Sequence, residues 1–345
     1  MLKIDGSIGF GQVFRTSIAL SSLTLTPVKI FNIRVRRPKP GLRPQHLRSL
    51  QVAAEFVAAD IKGAKIGSKE VTFVPKRYNI PEYKKIDIGT AGSVVLLLQS
   101  ILPLLAFSDH IVKLEIIGGT DVRGASTTIW FSHVFGYYMK KMGINFYGIT
   151  LRHGFYPKGG GKFFLRIFNP NSYLKNLILV ERGKVDGMNL WSVASKHLQK
   201  AKVAERQIKG FIKNWKEDIP RNSYFRYDNS LSPGSSLNAH VFFENCVIGM
   251  DRLGEKGKRA EEVGEECASE LKKVLNSGAC LDGFMADQIL PFIALAKGTS
   301  EVKVENFTEH VTSNIYVIEK FLDVKFEIDK ENKILRVKGI GFSGL

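Results

Sequence analysis

Residues 28–60 read VKIFNIRVRRPKPGLRPQHLRSLQVAAEFVAAD and place a strand-like run, a basic loop and a helix-like run in direct succession. The strand-like run covers 28–33, and apolar residues at helical spacing follow from 45 to 60. The loop between them contains five cations, three prolines and a glycine. This succession predicts an α+β unit in which the helix packs on the sheet that contains the strand.

The same succession of strand, glycine turn and apolar helix recurs along the chain. The predicted helices cover 12–23, 45–60, 91–107, 127–142, 284–297 and 311–322. The strand-like runs cover 28–33, 71–74, 114–117, 302–304 and 334–337. Because the helices fall into three pairs, the pattern predicts an α+β fold in which a helix pair and a sheet are repeated three times.

The third helix pair follows only after a long interval whose composition differs from its surroundings. This interval contains a Lys/Glu-rich helix pattern at 196–218, an apolar strand pattern and a second charged helix pattern at 257–275. We therefore predict a core domain formed by 1–183 and 278–345, with 184–277 inserted as a small α/β domain. The charged runs of its helices are interpreted as solvated faces.

The chain is strongly basic, with 50 Lys and Arg residues against 33 Asp and Glu residues and a formal charge of +17. Such a charge attracts polyanions over long distances, and the attraction weakens as salt is added. The alternative is that the charge serves solubility alone. The salt dependence of polyanion binding separates these two interpretations.

Residues 34–46 concentrate this charge in a segment whose backbone is restricted by proline. Proline fixes φ and glycine permits tight turns, while an arginine guanidinium binds phosphate oxygens with two parallel hydrogen bonds. The segment is therefore predicted to bind a phosphate group.

The sequence shows no membrane-spanning or secretory pattern. Its longest apolar stretch, 94–107, is too short for a bilayer and is interrupted by Gln99, Ser100 and Pro103. Three cysteines occur without the spacing of a metal site or a disulfide framework. These features predict a reduced, cytoplasmic protein with no membrane partner.

Seven segments, in order along the chain, resemble the motifs of one enzyme family. They are IDGS (4–7), PGLRPQHL (40–47), GTAGS (89–93), GGTD (118–121), GFYPKGGG (154–161), ADQ (286–288), and His310 near Thr312 and Asn314. In this order and spacing, the chain resembles the RNA 3′-terminal phosphate cyclases. The resemblance implies three repeats of a helix pair on a four-stranded sheet, each similar to the C-terminal domain of translation initiation factor 3, plus a small inserted α/β domain.

The resemblance implies an ATP-dependent reaction on RNA that ends in a 3′-phosphate. In the family, a histidine takes AMP from ATP, AMP passes to the RNA 3′-phosphate, and the adjacent 2′-hydroxyl closes a 2′,3′-cyclic phosphate. His310 matches the catalytic histidine. A neutral imidazole suits a transient carrier, because its ordinary pKa of about 6.5 lies near neutral pH. Without the resemblance, this histidine would be interpreted as a cap or a surface residue.

The resemblance also implies the residues that bind ATP and the RNA end, which are Arg15, Arg34, Arg37, Gln45, Gln99, Phe284, Asp287 and Gln288. Fixed cations and amides lower the barrier to phosphoryl transfer, because negative charge spreads over several oxygens. Phe284 stands where the family commonly has a tyrosine that stacks on adenine. Asp287 is expected either to orient His310 or to hold a cation. The alternatives are an edge-strand position for Arg34 and a polar helix face for Gln99.

Two segments depart from the family pattern. The glycine turn 9–12 is shorter than usual and has Phe10, with no acid, where the family has a glutamate that binds a metal. Mg²⁺ or Mn²⁺ is expected beside ATP, but its ligands are not assigned, and Asp121 and Asp282 are considered as replacements. Residues 122–130 replace a stretch with paired prolines and an acid that forms one wall of the adenine pocket in the family.

These departures favour one alternative, a cyclase-like protein without turnover that binds RNA in rRNA processing or ribosome biogenesis. It predicts RNA binding without an AMP adduct, and the retained His310 argues against it. A third alternative is an enolpyruvyl-type transferase, because the glycine-rich segment 89–93 also suits small phosphorylated substrates. The charge of +17 argues against that alternative. A homodimer is the oligomeric state considered.

Overall fold

The computed structural model describes residues 1–344 and contains four sheets of four strands each. The first sheet has the order β1-β2-β4-β3 and is built from β1 (Leu2–Asp5), β2 (Val28–Phe31), β3 (Asp60–Lys62) and β4 (Val71–Val74). Helix α1 (Gly11–Thr24) connects β1 to β2, and α2 (Pro44–Phe56) connects β2 to β3. Strands β1 and β2 are parallel, whereas the other pairs are antiparallel.

The second sheet has the order β5-β6-β8-β7 and is built from β5 (Tyr83–Asp87), β6 (Val112–Gly118), β7 (Asn145–Arg152) and β8 (Gly161–Phe168). Its first helical segment comprises α3 (Val94–Gln99) and α4 (Leu102–Leu105). Its second comprises α5 (Thr128–Trp130), a π-helical turn (Phe131–Phe135) and α6 (Gly136–Lys141).

A further sheet interrupts the third repeat after its first strand, β9 (Ile178–Leu179). Its elements are β10 (Val185–Ser195), α7 (Val203–Asn214), β11 (Arg221–Asp228), β12 (Ser235–Phe243), β13 (Val247–Leu253) and α8 (Ala260–Asn276), in the strand order β11-β10-β12-β13. Phe211, Trp215 and Leu271 belong to a hydrophobic core of this unit that is separate from the main core. We call this unit the insert, and we retain 184–277 as its proposed boundaries.

The third repeat continues with α9 (Gly283–Gln288), α10 (Leu290–Leu295), β14 (Lys297–Lys303), α11 (Glu309–Phe321), β15 (Phe326–Asp329) and β16 (Ile334–Ile340). Its sheet has the order β15-β16-β14-β9. Each of the three repeats thus runs strand, helical segment, strand, helical segment, strand, strand, with the same spatial order. The predicted α+β fold with three repeats is confirmed, while the likeness of each repeat to initiation factor 3 stays a prediction.

The helices of the three repeats share one hydrophobic core, and α1 lies at its centre. Helix α1 packs against α2 of its own repeat, α4 of the second repeat and α11 of the third. Every residue from Gln12 to Leu23 of α1 is buried. The residues of α1 are therefore in a position to contact all three repeats.

Several predicted helix boundaries are wrong, and two of the errors have the same cause. The predicted helices 91–107 and 284–297 are each broken in two near a proline, Pro103 and Pro291. A proline has no N–H to donate to the carbonyl four residues earlier, and its ring clashes with that carbonyl. The predicted helix 45–60 ends at Phe56, since Asp60 already pairs in β3.

In the insert, the predicted helix 196–218 is also wrong as a single element. It consists of a short 3₁₀ turn (Lys196–Leu198) followed by α7, and it ends before Trp215. The edge strand β11 was not predicted, because its charged and exposed residues give no apolar strand pattern.

No helix among the described residues combines the length and apolar character needed to cross a membrane. The three cysteines are buried thiols that form no disulfide within residues 1–344.

Candidate functional site

A network of hydrogen bonds around Arg15, in the first half of α1, connects all three repeats. Arg15 Nε donates to Gln99 Oε1 at 2.8 Å, which ties α1 to the end of α3. Arg15 Nη2 donates to Gln12 Oε1 at 2.7 Å. The half-buried side chain of Gln99 therefore has a partner for its oxygen in Arg15, and its role as a nucleotide-binding residue stays a prediction.

The hydrogen-bond network continues from α1 into the third repeat through Thr16 and Asn314. Thr16 Oγ1 donates to Asn314 Oδ1, and Asn314 Nδ2 donates to the Asp287 carbonyl at 2.8 Å. That carbonyl can accept the bond because Pro291, four residues later, has no N–H to donate to it. The break between α9 and α10 thus provides an acceptor that fixes Asp287 relative to α11.

His310 is the second residue of α11, one turn before Asn314. Thr308 caps this helix, and its Oγ1 accepts the Val311 amide at 3.3 Å. His310 Nδ1 is buried without a hydrogen-bond partner among the described residues and lies 3.9 Å from Asp287 Oδ2. The imidazole is 42% exposed as a side chain. Because Nδ1 faces Asp287, Nε2 is the nitrogen that a ligand can reach.

The charges around His310 keep its imidazole neutral near pH 7. Burial lowers the pKa of His310, and the guanidinium groups of Arg15 and Arg37 lower it further. Burial raises the pKa of Asp287 to about 7, although the nearby Arg15 opposes this shift. Burial also lowers the pKa of Arg15 to about 10, which leaves it cationic at neutral pH. The site therefore combines a neutral imidazole, a titrating carboxyl and a fixed cation.

Phe10 brings Arg36 and Arg37 close to His310. The guanidinium carbons of Arg37 and Arg36 lie 4.3 and 5.0 Å from the centre of the Phe10 ring. The Phe10 and His310 rings are 5.7 Å apart between centroids. Arg36 also pairs with Glu309 at 2.9 Å, whereas Arg37 has no carboxylate partner within residues 1–344. Cation–π contact thus holds an unpaired guanidinium beside the imidazole.

Several donors converge at the N-terminus of α1, around Gly11. A Cβ atom on Gly11 would lie 2.9 Å from Arg15 Nη1 and 3.0 Å from His46 Nε2. Nη1 has no acceptor among residues 1–344. His46 Nδ1 accepts the Arg43 amide at 3.3 Å, so its proton lies on Nε2, and burial lowers its pKa to about 3.

The first turn of α1 contains no acidic residue, and Phe10 offers no capping side chain. The amides of an uncapped helix N-terminus attract anions. Together with Arg15 and His46, they form a site suited to phosphate oxygens.

Arg34 and Gln45 have different surroundings from those predicted. Arg34 lies after β2 with a φ of 55°, so an edge-strand position is wrong. Its Nη1 donates to the carbonyls of Lys39 and Gly41, at 3.0 and 2.7 Å, and so stabilises the basic loop. Gln45 Oε1 accepts the Ser93 amide at 3.2 Å. Gln45 also lines a large cleft between the second repeat and the insert.

Phe284 and Gln288 lie on α9 with Asp287 but make other contacts. Phe284 is 37% exposed and packs edge-on against Trp130, with ring centroids 5.7 Å apart. Gln288 Oε1 is buried without a partner among residues 1–344. It faces a cavity of about 20 Å³ that Gln12 and Gln99 also line. That volume suffices for roughly one water molecule.

The residues around His310 do not fit a divalent metal held by the protein. Mg²⁺ and Mn²⁺ prefer oxygen ligands, above all carboxylates. In place of a carboxylate, the glycine turn presents Phe10 with two guanidinium groups over its ring. No cluster of three or more His, Cys, Asp or Glu side chains with metal-binding geometry occurs in the described part of the chain.

The two carboxylates considered as replacements are already occupied. Asp121 contacts His153 Nδ1 at 2.6 Å and accepts bonds from Thr120 and Ser236. Asp282 caps α9 by accepting the Phe284 and Met285 amides, and it also accepts the Gly249 amide. Neither has the unpaired oxygens that a cation would need.

Sequence reasoning assigned no role to Gln12, Thr16, His46 and Asn314, although His46 and Asn314 stand within the family motifs. Gln12, Arg15 and Thr16 follow one another at helical spacing on a helix whose other large side chains are apolar. Polar side chains on a buried face require partners. That spacing was therefore a usable signal for a polar network, whereas the partners on α3 and α11 could be found only from the fold.

Comparison with known proteins identifies the family of this chain. A family model described as RNA 3′-terminal phosphate cyclase matches residues 7–328. A protein of that name from Pyrococcus furiosus is 41% identical over 334 residues, which cover 95% of each chain. Its namesakes from Pyrococcus abyssi and Desulfurococcus amylolyticus are 40% and 38% identical, over 96% and 99% of each chain.

These matches confirm the predicted family and enzyme class over nearly the whole length of the chain. The segments that carried the resemblance include those that contain Asp287 and His310. This chain belongs to the RNA 3′-terminal phosphate cyclase family.

Proposed function

We propose that this chain converts an RNA 3′-phosphate into a 2′,3′-cyclic phosphate at the expense of ATP, with AMP carried on His310. The observation that carries the proposal is the accessible Nε2 of His310, with Nδ1 buried 3.9 Å from Asp287 Oδ2. Arg15 and Arg37 lie close enough to lower the pKa of the imidazole. A nucleophile, its orienting carboxyl and fixed cations are the parts that phosphoryl transfer needs.

In the first step, His310 Nε2 attacks the α-phosphorus of ATP. An N–P bond forms, the bond to the bridging oxygen breaks, and pyrophosphate leaves. The imidazole becomes cationic, with its remaining proton on Nδ1, where ionised Asp287 stabilises it. The gap of 3.9 Å is longer than a hydrogen bond, but such bonds often shorten only when the substrate is bound.

In the second step, an oxygen of the RNA 3′-phosphate attacks the phosphorus of the adduct. The N–P bond breaks, and His310 is released as AMP passes to the RNA. In the third step, the RNA 2′-hydroxyl attacks the 3′-phosphorus, loses its proton and expels AMP. The donors around Gly11, which are Arg15 Nη1, His46 Nε2 and the α1 amides, bind phosphate oxygens during these steps.

The other predicted residues take supporting roles in the proposal. Arg34 stabilises the basic loop that contains Arg37. Gln99 accepts a hydrogen bond from Arg15, and Gln288 lines the small cavity beside Gln12 and Gln99. The exposed ring of Phe284 stacks on adenine, and Gln45, which lines the large cleft, binds the RNA end. We propose that ATP and an RNA 3′-phosphate are the substrates and that the protein acts in the cytoplasm. A homodimer stays a prediction.

The proposal is tested with ATP labelled at the α-phosphate. The purified chain is incubated with it in the presence of Mg²⁺, of Mn²⁺ and of a chelator, and is then separated under denaturing conditions. We expect labelled protein, and loss of that label when RNA with a 3′-phosphate is added. The RNA end should become resistant to phosphatase. RNA that ends in a 3′-hydroxyl is the matched control and should leave the label in place.

The second candidate function is RNA binding without turnover, in rRNA processing or ribosome biogenesis. The observation that favours it is Phe10, which stands without a carboxylate at the glycine turn. It predicts no label under any metal condition, although RNA still binds. That result would replace the cyclase proposal by the non-catalytic one.

Adduct formation should depend on the ionisation of Asp287. Its pKa is raised to about 7, so the carboxylate predominates above this pH and is lost as the pH falls through it. The rate of AMP labelling should therefore rise through about pH 7 and level off about one unit higher. Single-turnover labelling across this range provides the measurement.

The matched variant is Asp287→Asn, which keeps the size of the side chain. It should lower the plateau and move the midpoint below 7, where His310 alone titrates. A variant with the same midpoint as the natural chain would show that Asp287 is not the titrating group.

A further inference from the structure

We infer that the cleft between the second repeat and the insert binds the single-stranded RNA segment that precedes the reacting 3′ end, with one base stacked on Tyr156. This inference rests on the proposed function, because it assumes that the RNA end reacts near His310. It adds a binding site for the nucleotides that do not react.

The cleft is large, and one of its lining residues is next in sequence to a residue of the candidate site. Its volume is about 1260 Å³, above the roughly 300–1,000 Å³ of typical small-molecule pockets. Gln45 and Ala91 are among its lining residues. Gln45 is adjacent in sequence to His46, whose Nε2 lies near Gly11 and Arg15 Nη1. A strand that follows the cleft would therefore bring its end to the donors around Gly11.

Tyr156 presents an aromatic ring to this cleft. It is 77% exposed, the largest exposed fraction among the large hydrophobic residues. Its support is rigid, because the neighbouring Phe155 is buried and packs so closely on Gly234 that a Cβ there would lie 2.2 Å from its ring. The Lys158 amide also donates to Ser232 Oγ at 3.1 Å. An exposed ring on a fixed support is suited to stacking on a base of any sequence.

The charge of the cleft matches a phosphate backbone. Its lining cations are Arg123, Arg206, Lys256, Lys258 and Arg259, and its lining carboxylates are Asp121 and Glu255. Asp121 is already bound to His153. Arg123 pairs with Glu255 at 2.6 Å, but its side chain is 77% exposed, and such pairs are weak. Lys256 has no carboxylate partner within residues 1–344. Arg206 and Lys258 pair with Glu261 and Glu266, which do not line the cleft. The cationic lining favours an anionic ligand, and the exposed ring of Tyr156 favours RNA over an acidic peptide.

The first test compares Tyr156→Leu with Tyr156→Phe and with Tyr147→Leu, which removes an exposed tyrosine from β7. The measurement is the Kd for a fluorescent single-stranded RNA with a 3′-phosphate, at fixed salt. We expect Tyr156→Leu to weaken binding roughly five- to hundredfold, since base stacking is lost. Tyr156→Phe and Tyr147→Leu should bind as the natural chain does.

The second test compares Lys256→Ala with Lys330→Ala, an exposed lysine in the turn between β15 and β16. The slope of log affinity against log salt should fall by about 0.7 for Lys256→Ala only, because one phosphate contact is lost. Equal slopes for both variants would contradict a backbone contact in the cleft.

AMP labelling without RNA is measured for every variant and should stay unchanged. If Tyr156→Leu loses labelling but keeps RNA affinity, the cleft is a nucleotide site and the inference is overturned. Unchanged RNA affinity with unchanged labelling overturns it as well. If the natural chain forms no adduct while Tyr156→Leu still weakens RNA binding, the proposed catalysis fails and the RNA site stands.

Discussion

Replacement of His310 by alanine is expected to lower AMP labelling by at least about a thousandfold, because the nitrogen that attacks phosphorus is removed. The half-exposed side chain makes no hydrogen bond that holds α11 in place. The fold should therefore survive the substitution. The measurement is the labelled fraction of protein after incubation with ATP labelled at the α-phosphate.

The matched control is His110→Ala, which removes another imidazole paired with a carboxylate. His110 Nδ1 lies 2.6 Å from Asp109 Oδ1, outside the group of residues around Arg15. This variant should be labelled like the natural chain. The bond to AMP should also be labile in acid and stable in alkali, as expected of a phosphoramidate. Full labelling of His310→Ala would mean that another side chain carries AMP.

Most of the fold was predictable because its repeats follow hydrophobic periodicity. The strand run 71–74 coincides with β4, and the run 334–337 lies within β16. Each predicted helix corresponds to a helical segment. Pro103 and Pro291 can be read from the sequence, but the effect of each break depends on which backbone carbonyl loses its N–H donor. The Asp287 carbonyl can be identified as an acceptor only once Asn314 is known to face it.

The candidate site was less predictable than the fold. The motifs indicated Arg15, Gln99, Asp287 and His310 one by one. Their mutual arrangement depends on how distant helices pack together. Arg15 and Gln99, for example, are 84 residues apart in sequence. The contact of Phe10 with Arg37 depends likewise on how the basic loop folds over the glycine turn. Side-chain partners of this kind are set by tertiary structure and leave no local pattern.

Replacement of Arg15 by methionine is expected to lower AMP labelling about 100- to 1,000-fold, the usual effect of removing one donor that stabilises transferring oxygens. Methionine keeps a similar volume but leaves Gln12 Oε1 and Gln99 Oε1 without their donor. The loss of the cation should also raise the pKa of Asp287 further, because Arg15 now opposes its upward shift. The midpoint of the pH–rate profile should therefore move above 7. The control is Arg336→Met, which removes one positive charge from an exposed ion pair and should leave AMP labelling unchanged.

A second variant separates the chemical role of Arg15 from its structural role. In Arg15→Met, the unpaired oxygen of buried Gln12 should cost about 1–3 kcal/mol in the free energy of unfolding. The oxygen of half-buried Gln99 should cost less, because water can reach part of that side chain. Adding Gln12→Met and Gln99→Met removes both oxygens, so denaturant unfolding should show much of that stability restored. Labelling should stay low, because no cation faces the phosphates bound around Gly11. If the triple variant regained labelling along with stability, Arg15 would serve only to hold α1 and α3 together, and the source of charge stabilisation would have to be Arg37.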